Sequence, residues 1–262
     1  MNDKFYTSLQ MREAFHLEFL RWFSQKVEAT RYCLKGGVNL RLFCRSIRYS
    51  EDMDIDITNV RVEGLQKIVM GILSGRGFTD SLKFLGIEKI VPPDMAKAKQ
   101  TETTQRFKIH LLTSAGEDLF TKIEFSRRGM KGNTIVEPVS ASILRSYKMG
   151  PLLVAHYDVT SAVVQKIHAL AQRTVLQARD IFDLFVLSSQ YEKGQQEKIL
   201  ISKAVLKTAY DNIFLVEYLQ FRDSVVAYLE VDDQKTFSSS SAWDEIKLKT
   251  ANFLEEFKDE KG

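Results

Sequence analysis

The chain has 262 residues, of which 44% are hydrophobic and 27% charged, with a formal net charge of +3. That length buries a real core as one large domain or two modest ones, and four prolines with no long low-complexity tract exclude a disordered or fibrous chain. Two cysteines, Cys33 and Cys44, exclude a disulfide scaffold and a zinc site, and the lack of any run of about 18 apolar residues excludes a membrane-spanning helix.

The first residues, MNDKFYTSLQ, carry no apolar signal-peptide core, so a cytosolic protein is expected. From Ser8 to about Ala29, Met11, Phe15, Phe19, Trp22, Phe23 and Val27 recur at helical spacing and predict a long amphipathic helix. Tyr32 to Lys35 is a short strand ending at Gly36-Gly37, and Val38 to Cys44 reads as a helix. Asp52 to Ile57 alternates strictly, with Met53, Ile55 and Ile57 opposite the acids: a half-buried strand. Val62 to Leu73 is a predicted helix stopped by Gly75 and Gly77. Strands are expected over Ser81 to Lys89, Arg106 to Thr113 and Leu119 to Ser126, with shorter ones over Ile135 to Pro138 and Leu152 to His156. After Asp158 the pattern is helical: Thr160 to Ala171, Val175 to Gln190, Gln195 to about Tyr210, Asn212 to Leu229 and Ala242 to Lys258. The division near residue 150 separates an α/β part from a helical bundle.

Asp52, Asp54 and Asp56 share one side of their strand, with Cα atoms roughly 6.5–7 Å apart. Like charges that close raise one another's pKa and cost stability. A divalent cation removes the conflict, and Mg²⁺ takes one or two carboxylates plus substrate phosphates. A solvated acidic strand on a sheet exterior explains the alternation equally well. Gly36-Gly37 shifts the balance: a strand, a glycine pair and a helix let backbone N–H groups approach a phosphate at the positive end of a helix dipole. The sequence GGVNLR lacks the Gly-Lys-Ser/Thr ending of a Walker loop, no Ser/His/Asp hydrolase set is present, and the histidines show no metal-ligand spacing.

LKGGVNLRLF followed by RYSEDMDIDI resembles the AbiEii toxin family (type IV toxin, MenT-like) of the polymerase-β-like nucleotidyltransferase superfamily. TKIEFSRR, Thr121 to Arg128, is similar to that family's third carboxylate strand. QKIHALAQR, Gln165 to Arg173, and QARDIFDL, Gln177 to Leu184, resemble its lysine and aspartate motifs, so the likeness runs from about residue 31 to 187.

The resemblance implies an α+β fold: an N-terminal nucleotidyltransferase domain, residues 1–150, with a mixed sheet flanked by helices, then a C-terminal helical bundle, residues 151–262, that contributes to the active-site cleft. It places the family's Ser-x-Asp-apolar-Asp on Ser50, Asp52 and Asp54, with the two aspartates holding Mg²⁺ or Mn²⁺. Asp56 extends the row as a ligand, a support or an exposed residue, and the sequence also permits the pair Asp54/Asp56. Glu124 is the implied third carboxylate, Lys166 the lysine that meets nucleotide phosphates, and Asp180 the family's helix aspartate. Taken alone, Glu124 is an ordinary strand acid, Lys166 a solvated lysine, and Asp180 a surface partner of Arg179 or Arg173; Asp183 reads as structural and His168 as a packing or surface residue. The expected nucleotide-binding set is Lys35, Gly36, Gly37, Arg48, Ser50 and Lys166. Arg41, Arg45 and Arg48, or Arg127, Arg128 and Lys131, are the basic clusters available to phosphates or RNA, Arg48 being favoured for its place beside the acidic strand.

The implied reaction transfers a nucleoside monophosphate from an NTP to an acceptor with release of pyrophosphate, and Glu124 or Asp56 orients or deprotonates the acceptor hydroxyl. The family implies the 3′ end of tRNA as acceptor and a cognate antitoxin as partner, with no membrane. Transfer to a small molecule or a protein, or nucleotide binding without turnover, are the rival readings.

Overall fold

The computed structural model describes residues 6–96, 98, 100–191 and 201–257. The chain separates into two compact units, Met1–Phe43 with Tyr49–Tyr157, and Cys44–Arg48 with Asp158–Gly262. Among the described residues no helix is long and apolar enough to cross a membrane.

The first unit is a mixed seven-stranded sheet with flanking helices. Its strands are β1 (Tyr32–Lys35), β2 (Asp52–Ile57), β3 (Ile87–Val91), β4 (Thr104–Thr113), β5 (Asp118–Ser126), β6 (Thr134–Pro138) and β7 (Leu153–Tyr157). They lie in the order β3-β4-β5-β2-β1-β7-β6. β2 pairs antiparallel with β1 and parallel with β5, which puts the acidic strand in the middle of the sheet. Period-2 alternation then sends Met53, Ile55 and Ile57 to the buried face with Phe107, Ile109, Ile123 and Phe125. Helices α1 (Ser8–Ser24), α3 (Val62–Leu73) and α4 (Arg76–Lys83) cover that face, through Phe15, Phe19, Phe23, Leu65, Val69, Phe78 and Leu82. Phe23 meets Phe125 with ring centroids 5.4 Å apart, and Phe15 meets Phe78 edge-on at 5.9 Å. Thr7 and Gln10 close a capping box at the start of α1.

One expectation for this unit is corrected. Helix α3 ends at Leu73, ahead of Gly75, as expected, but a further helix follows directly: Gly75 precedes α4, which takes up Arg76–Lys83. The strand expected from Ser81 therefore begins only at Ile87. Phe78 and Leu82, four apart, bury the inner side of α4, whereas Phe84, whose apparent alternation with Leu82 mimics a strand, is 89% exposed. Helix α2 (Gly36–Phe43) starts at the glycine pair itself, and a short helix, α5 (Ala141–Ser146), precedes β7.

The second unit is helical: α6 (Val159–Gln172), α7 (Ala178–Ser188), α8 (Lys203–Ile213), α9 (Tyr218–Ser224), α10 (Val231–Phe237) and α11 (Ser240–Glu256). Asp158, Ser202 and Ser239 cap α6, α8 and α11 with their side chains. Phe221 stacks on Trp243 with centroids 4.4 Å apart, inside a core that includes Ile181, Phe182 and Leu254. The single helix expected over Asn212 to Leu229 is broken, because the Val216 carbonyl leaves the helical path to accept from Trp243 Nε1, 3.0 Å away. The start of α8 expected at Gln195, and the end of α11 expected at Lys258, lie outside the described residues.

Candidate active site

Lys35, Asp52, Asp54, Asp56 and Glu124 come together on the face of the sheet opposite the aromatic core. Asp54 faces Lys35 across β1 and Glu124 across β5, while Asp52 faces Lys122 and Asp56 faces Ser126. Neighbouring strands are about 4.8 Å apart, so these side chains feel one another directly.

Three of the four acids already have a protein partner. Asp56 is buried; its Oδ1 accepts from Lys35 Nζ at 2.6 Å and its Oδ2 from the Tyr157 hydroxyl at 2.7 Å. Burial, and then Asp56, push the Tyr157 phenol above its ordinary pKa, which keeps it protonated as the donor. Asp52 Oδ2 lies 2.9 Å from Lys122 Nζ. Glu124 Oε2 receives Arg106 Nε at 2.7 Å and a terminal guanidinium nitrogen at 2.6 Å. The repulsion expected along the row is thus relieved largely by Lys35, Lys122 and Arg106. Sequence reasoning missed all three in that role; the Lys-x-Glu alternation of TKIEF is the one local signal that pointed to any of them.

Asp54 is the exception. It is half-buried, and no described residue gives it a hydrogen bond or ion pair. Burial pushes its carboxyl above the usual carboxylate range; Lys35 and Lys122 oppose that, while Glu124 and Asp52 add to it. Its Oδ2 overhangs Gly36: a β-carbon at that glycine would sit 3.0 Å from the oxygen. Gly36 has φ +69°, a left-handed conformation that glycine adopts without steric cost, and it opens α2. The sequence therefore places an unpartnered carboxylate directly over the glycine pair.

The supports of this patch lie behind it. Ser50 Oγ donates to the Asp52 carbonyl at 2.9 Å, leaving its lone pairs free to accept. The Thr121 hydroxyl donates to the Glu51 carbonyl at 2.6 Å, so the buried His16 must give its Nε2–H to Thr121, 2.9 Å away. Burial lowers the His16 pKa to about 3, with the Arg12 charge adding to the fall, so the ring is neutral near pH 7. Arg41 is not a free cation: Glu13 holds it at 2.7 Å and Tyr49 lies under its guanidinium at 4.1 Å.

The second unit holds the remaining motif residues in one buried ion network. Asp183, wholly buried, accepts Arg48 at 3.0 and 3.2 Å and Lys166 at 2.6 Å. Lys166 also reaches Asp180 at 2.9 Å, and Arg173 Nε lies 2.6 Å from the other oxygen of Asp180. Burial disfavours the Asp183 charge, yet Arg48 and Lys166 outweigh it and hold its carboxyl below the usual range. Burial likewise works against the Lys166 charge, and Asp183 and Asp180 raise its pKa above the ordinary value. Neither the solvated lysine nor the surface aspartate of the bland readings describes these residues. Asp183 matters to Arg48 and Lys166 together, a role that its spacing from Asp180 did not reveal.

Among the described residues no three His, Cys, Asp or Glu side chains already form a metal-binding cluster. The donors nonetheless suit Mg²⁺ or Mn²⁺. Asp54 offers two oxygens, and Asp52 Oδ1 and Glu124 Oε1 receive no hydrogen bond from any described residue, which matches a cation that takes one or two carboxylates and completes its shell with water and phosphates.

A central acidic strand beside a glycine-opened helix in a mixed sheet is the arrangement that the resemblance to nucleotidyltransferases leads one to expect. The structure is similar to MenT4, a nucleotidyltransferase toxin from Mycobacterium tuberculosis, with a TM-score of 0.62 at 16% identity over 95% of this chain and 84% of that one. It is also similar to a candidate nucleotidyltransferase from H. pylori, with a TM-score of 0.56 at 18% identity over 95% of this chain and 94% of that one. No curated protein matches in sequence. Residues 18–260 match the family described as nucleotidyl transferase AbiEii toxin, type IV toxin–antitoxin system, and the chain belongs to that family.

Proposed function

We propose that this protein is a divalent-cation-dependent nucleotidyltransferase that moves a nucleoside monophosphate from an NTP to an RNA hydroxyl, the 3′ end of tRNA, with release of pyrophosphate. The observation that carries this reading is the lone carboxylate of Asp54 over Gly36, flanked by Asp52 and Glu124. Asp52 and Asp54 would hold Mg²⁺ or Mn²⁺, which when bound neutralises charge on the triphosphate and the leaving pyrophosphate.

The pairing of both Asp56 oxygens with Lys35 and Tyr157 favours Asp52/Asp54 over Asp54/Asp56 and makes Asp56 the support that fixes Lys35. The amides of Gly36 and Gly37, at the positive end of α2, are assigned to the phosphates. Glu124 Oε1 is the acceptor for the proton of the attacking hydroxyl, with Arg106 fixing the carboxylate through Oε2. The family motifs assign Lys166 to the triphosphate and Asp180 to holding its ammonium; Arg48 is assigned to phosphate through the same network. Catalysis would consist of positioning and charge neutralisation. The family likeness supports a cognate antitoxin as partner and action in the cytosol, where NTPs and tRNA are found.

The test incubates the protein with each labelled NTP in turn, Mg²⁺ or Mn²⁺, and total tRNA, with Asp54→Ala as control. Labelled tRNA from the wild type alone is the expected result. Equal labelling by the variant means the centre lies elsewhere, and label on protein or small molecules instead of RNA moves the acceptor to another class.

A further inference from the structure

Lys122 differs from the other two counter-ions of the acidic row. Lys35 pairs with the buried Asp56, which also accepts from Tyr157, and Arg106 grips Glu124 through two nitrogens. Lys122 holds Asp52 Oδ2 by one contact of 2.9 Å, and Asp52, with 34% of its side chain exposed, is the most open of the three paired acids. Its partner across β4 is Lys108, an exposed like charge. A lysine ammonium is a compact, strongly hydrated charge on a flexible stem, and a single partly exposed contact of this kind exchanges readily. The pair is also placed by register: β5 sets Lys122 beside Asp52 and Glu124 beside Asp54.

We propose that Lys122 is the internal counter-ion of Asp52 and competes with the divalent cation for it, so that Lys122 sets the metal concentration at which the centre loads. This rests on the reading of Asp52 and Asp54 as the metal pair. The same ammonium stabilises Asp52 beside Asp54 before loading and opposes a second positive charge there. A cation that merely braced the strand would do the first without the second.

Mn²⁺ binding to the full-length protein, followed by electron paramagnetic resonance without nucleotide, separates the alternatives. Lys122→Met and Lys122→Gln are expected to bind Mn²⁺ about two- to fivefold more tightly than wild type, the size of a partly exposed ion pair. Lys122→Arg, which keeps the charge, is expected to stay close to wild type. Unchanged or weaker binding by both neutral variants, with Asp54→Asn clearly weakened, overturns the proposal alone. Wild-type binding by Asp54→Asn overturns the metal pair and the proposal with it.

Discussion

The carboxylate of Asp54 fills the space a side chain at Gly36 would need: a β-carbon on Gly36 would stand 3.0 Å from Asp54 Oδ2. Gly36→Ala therefore acts twice. The left-handed φ of +69° costs an alanine about 1–2 kcal/mol, and the methyl group pushes the carboxylate aside. A melting temperature lowered by a few degrees, with transfer activity reduced at least tenfold, is the expected outcome of thermal denaturation and the labelling assay. Loss of stability with full activity would mean that the contact has no part in the chemistry.

Asp54→Asn should separate activity from stability. The carboxyl pKa is raised in the folded protein, so ionisation at neutral pH works against folding. Removing that charge is expected to leave the denaturation midpoint unchanged or higher, while transfer falls at least a hundredfold. A clear loss of stability in urea would instead reveal a structural partner for this side chain.

Asp183→Asn leaves Arg48 and Lys166 buried with too little negative charge, and an uncompensated buried charge costs about 3–5 kcal/mol. Its carboxyl pKa is depressed, so the stabilisation is present above the unfolded value of about 3.8 and is lost as pH falls through the lower folded value. Urea titrations at pH 7 and below pH 4 should show the wild type converging on the variant in acid. A variant as stable as wild type at pH 7 would contradict the network.

His16 gives a second signature on the acid side, over a different range. The folded ring binds a proton only near pH 3, whereas the unfolded ring does so near 6.5. Between those values the unfolded state carries the extra proton, so this group lowers stability by about 1.4 kcal/mol per unit of falling pH. His16→Gln keeps an N–H for Thr121 and does not titrate. Its stability is expected to fall less steeply from pH 6.5 downward, as measured by urea midpoints; parallel curves would show that His16 is not neutral in the fold.

The acidic strand and the turn were legible because both are local. Alternation at Asp52, Asp54 and Asp56 fixes a face, and Gly36-Gly37 after Leu34-Lys35 marks a strand-to-helix turn. The counter-ions were not, because register across the sheet makes them partners: Arg106 is 18 residues from Glu124, and Lys35 is 21 from Asp56. Crowding of like charge was therefore weaker support for a metal than it looked from the sequence; the informative residue is the single acid left without a cation. The end of α4, Ser81 to Lys83, falls inside the expected strand because Leu82 and Phe84 alternate with polar residues, whereas burial of Phe78 and Leu82, four apart, follows the helical period. The break at Val216 depends on Trp243, 27 residues on, and is invisible to any local pattern.

The five residues Cys44–Arg48 belong to the helical unit although the chain on either side of them belongs to the sheet unit. Neither unit is consequently an uninterrupted stretch of polypeptide. Severing the chain after Tyr157 would give a carboxy-terminal fragment that lacks Arg48 and leaves Asp183 with Lys166 alone. Such a fragment should be crippled when expressed by itself, and a synthetic peptide spanning those five residues is the piece to supply in trans.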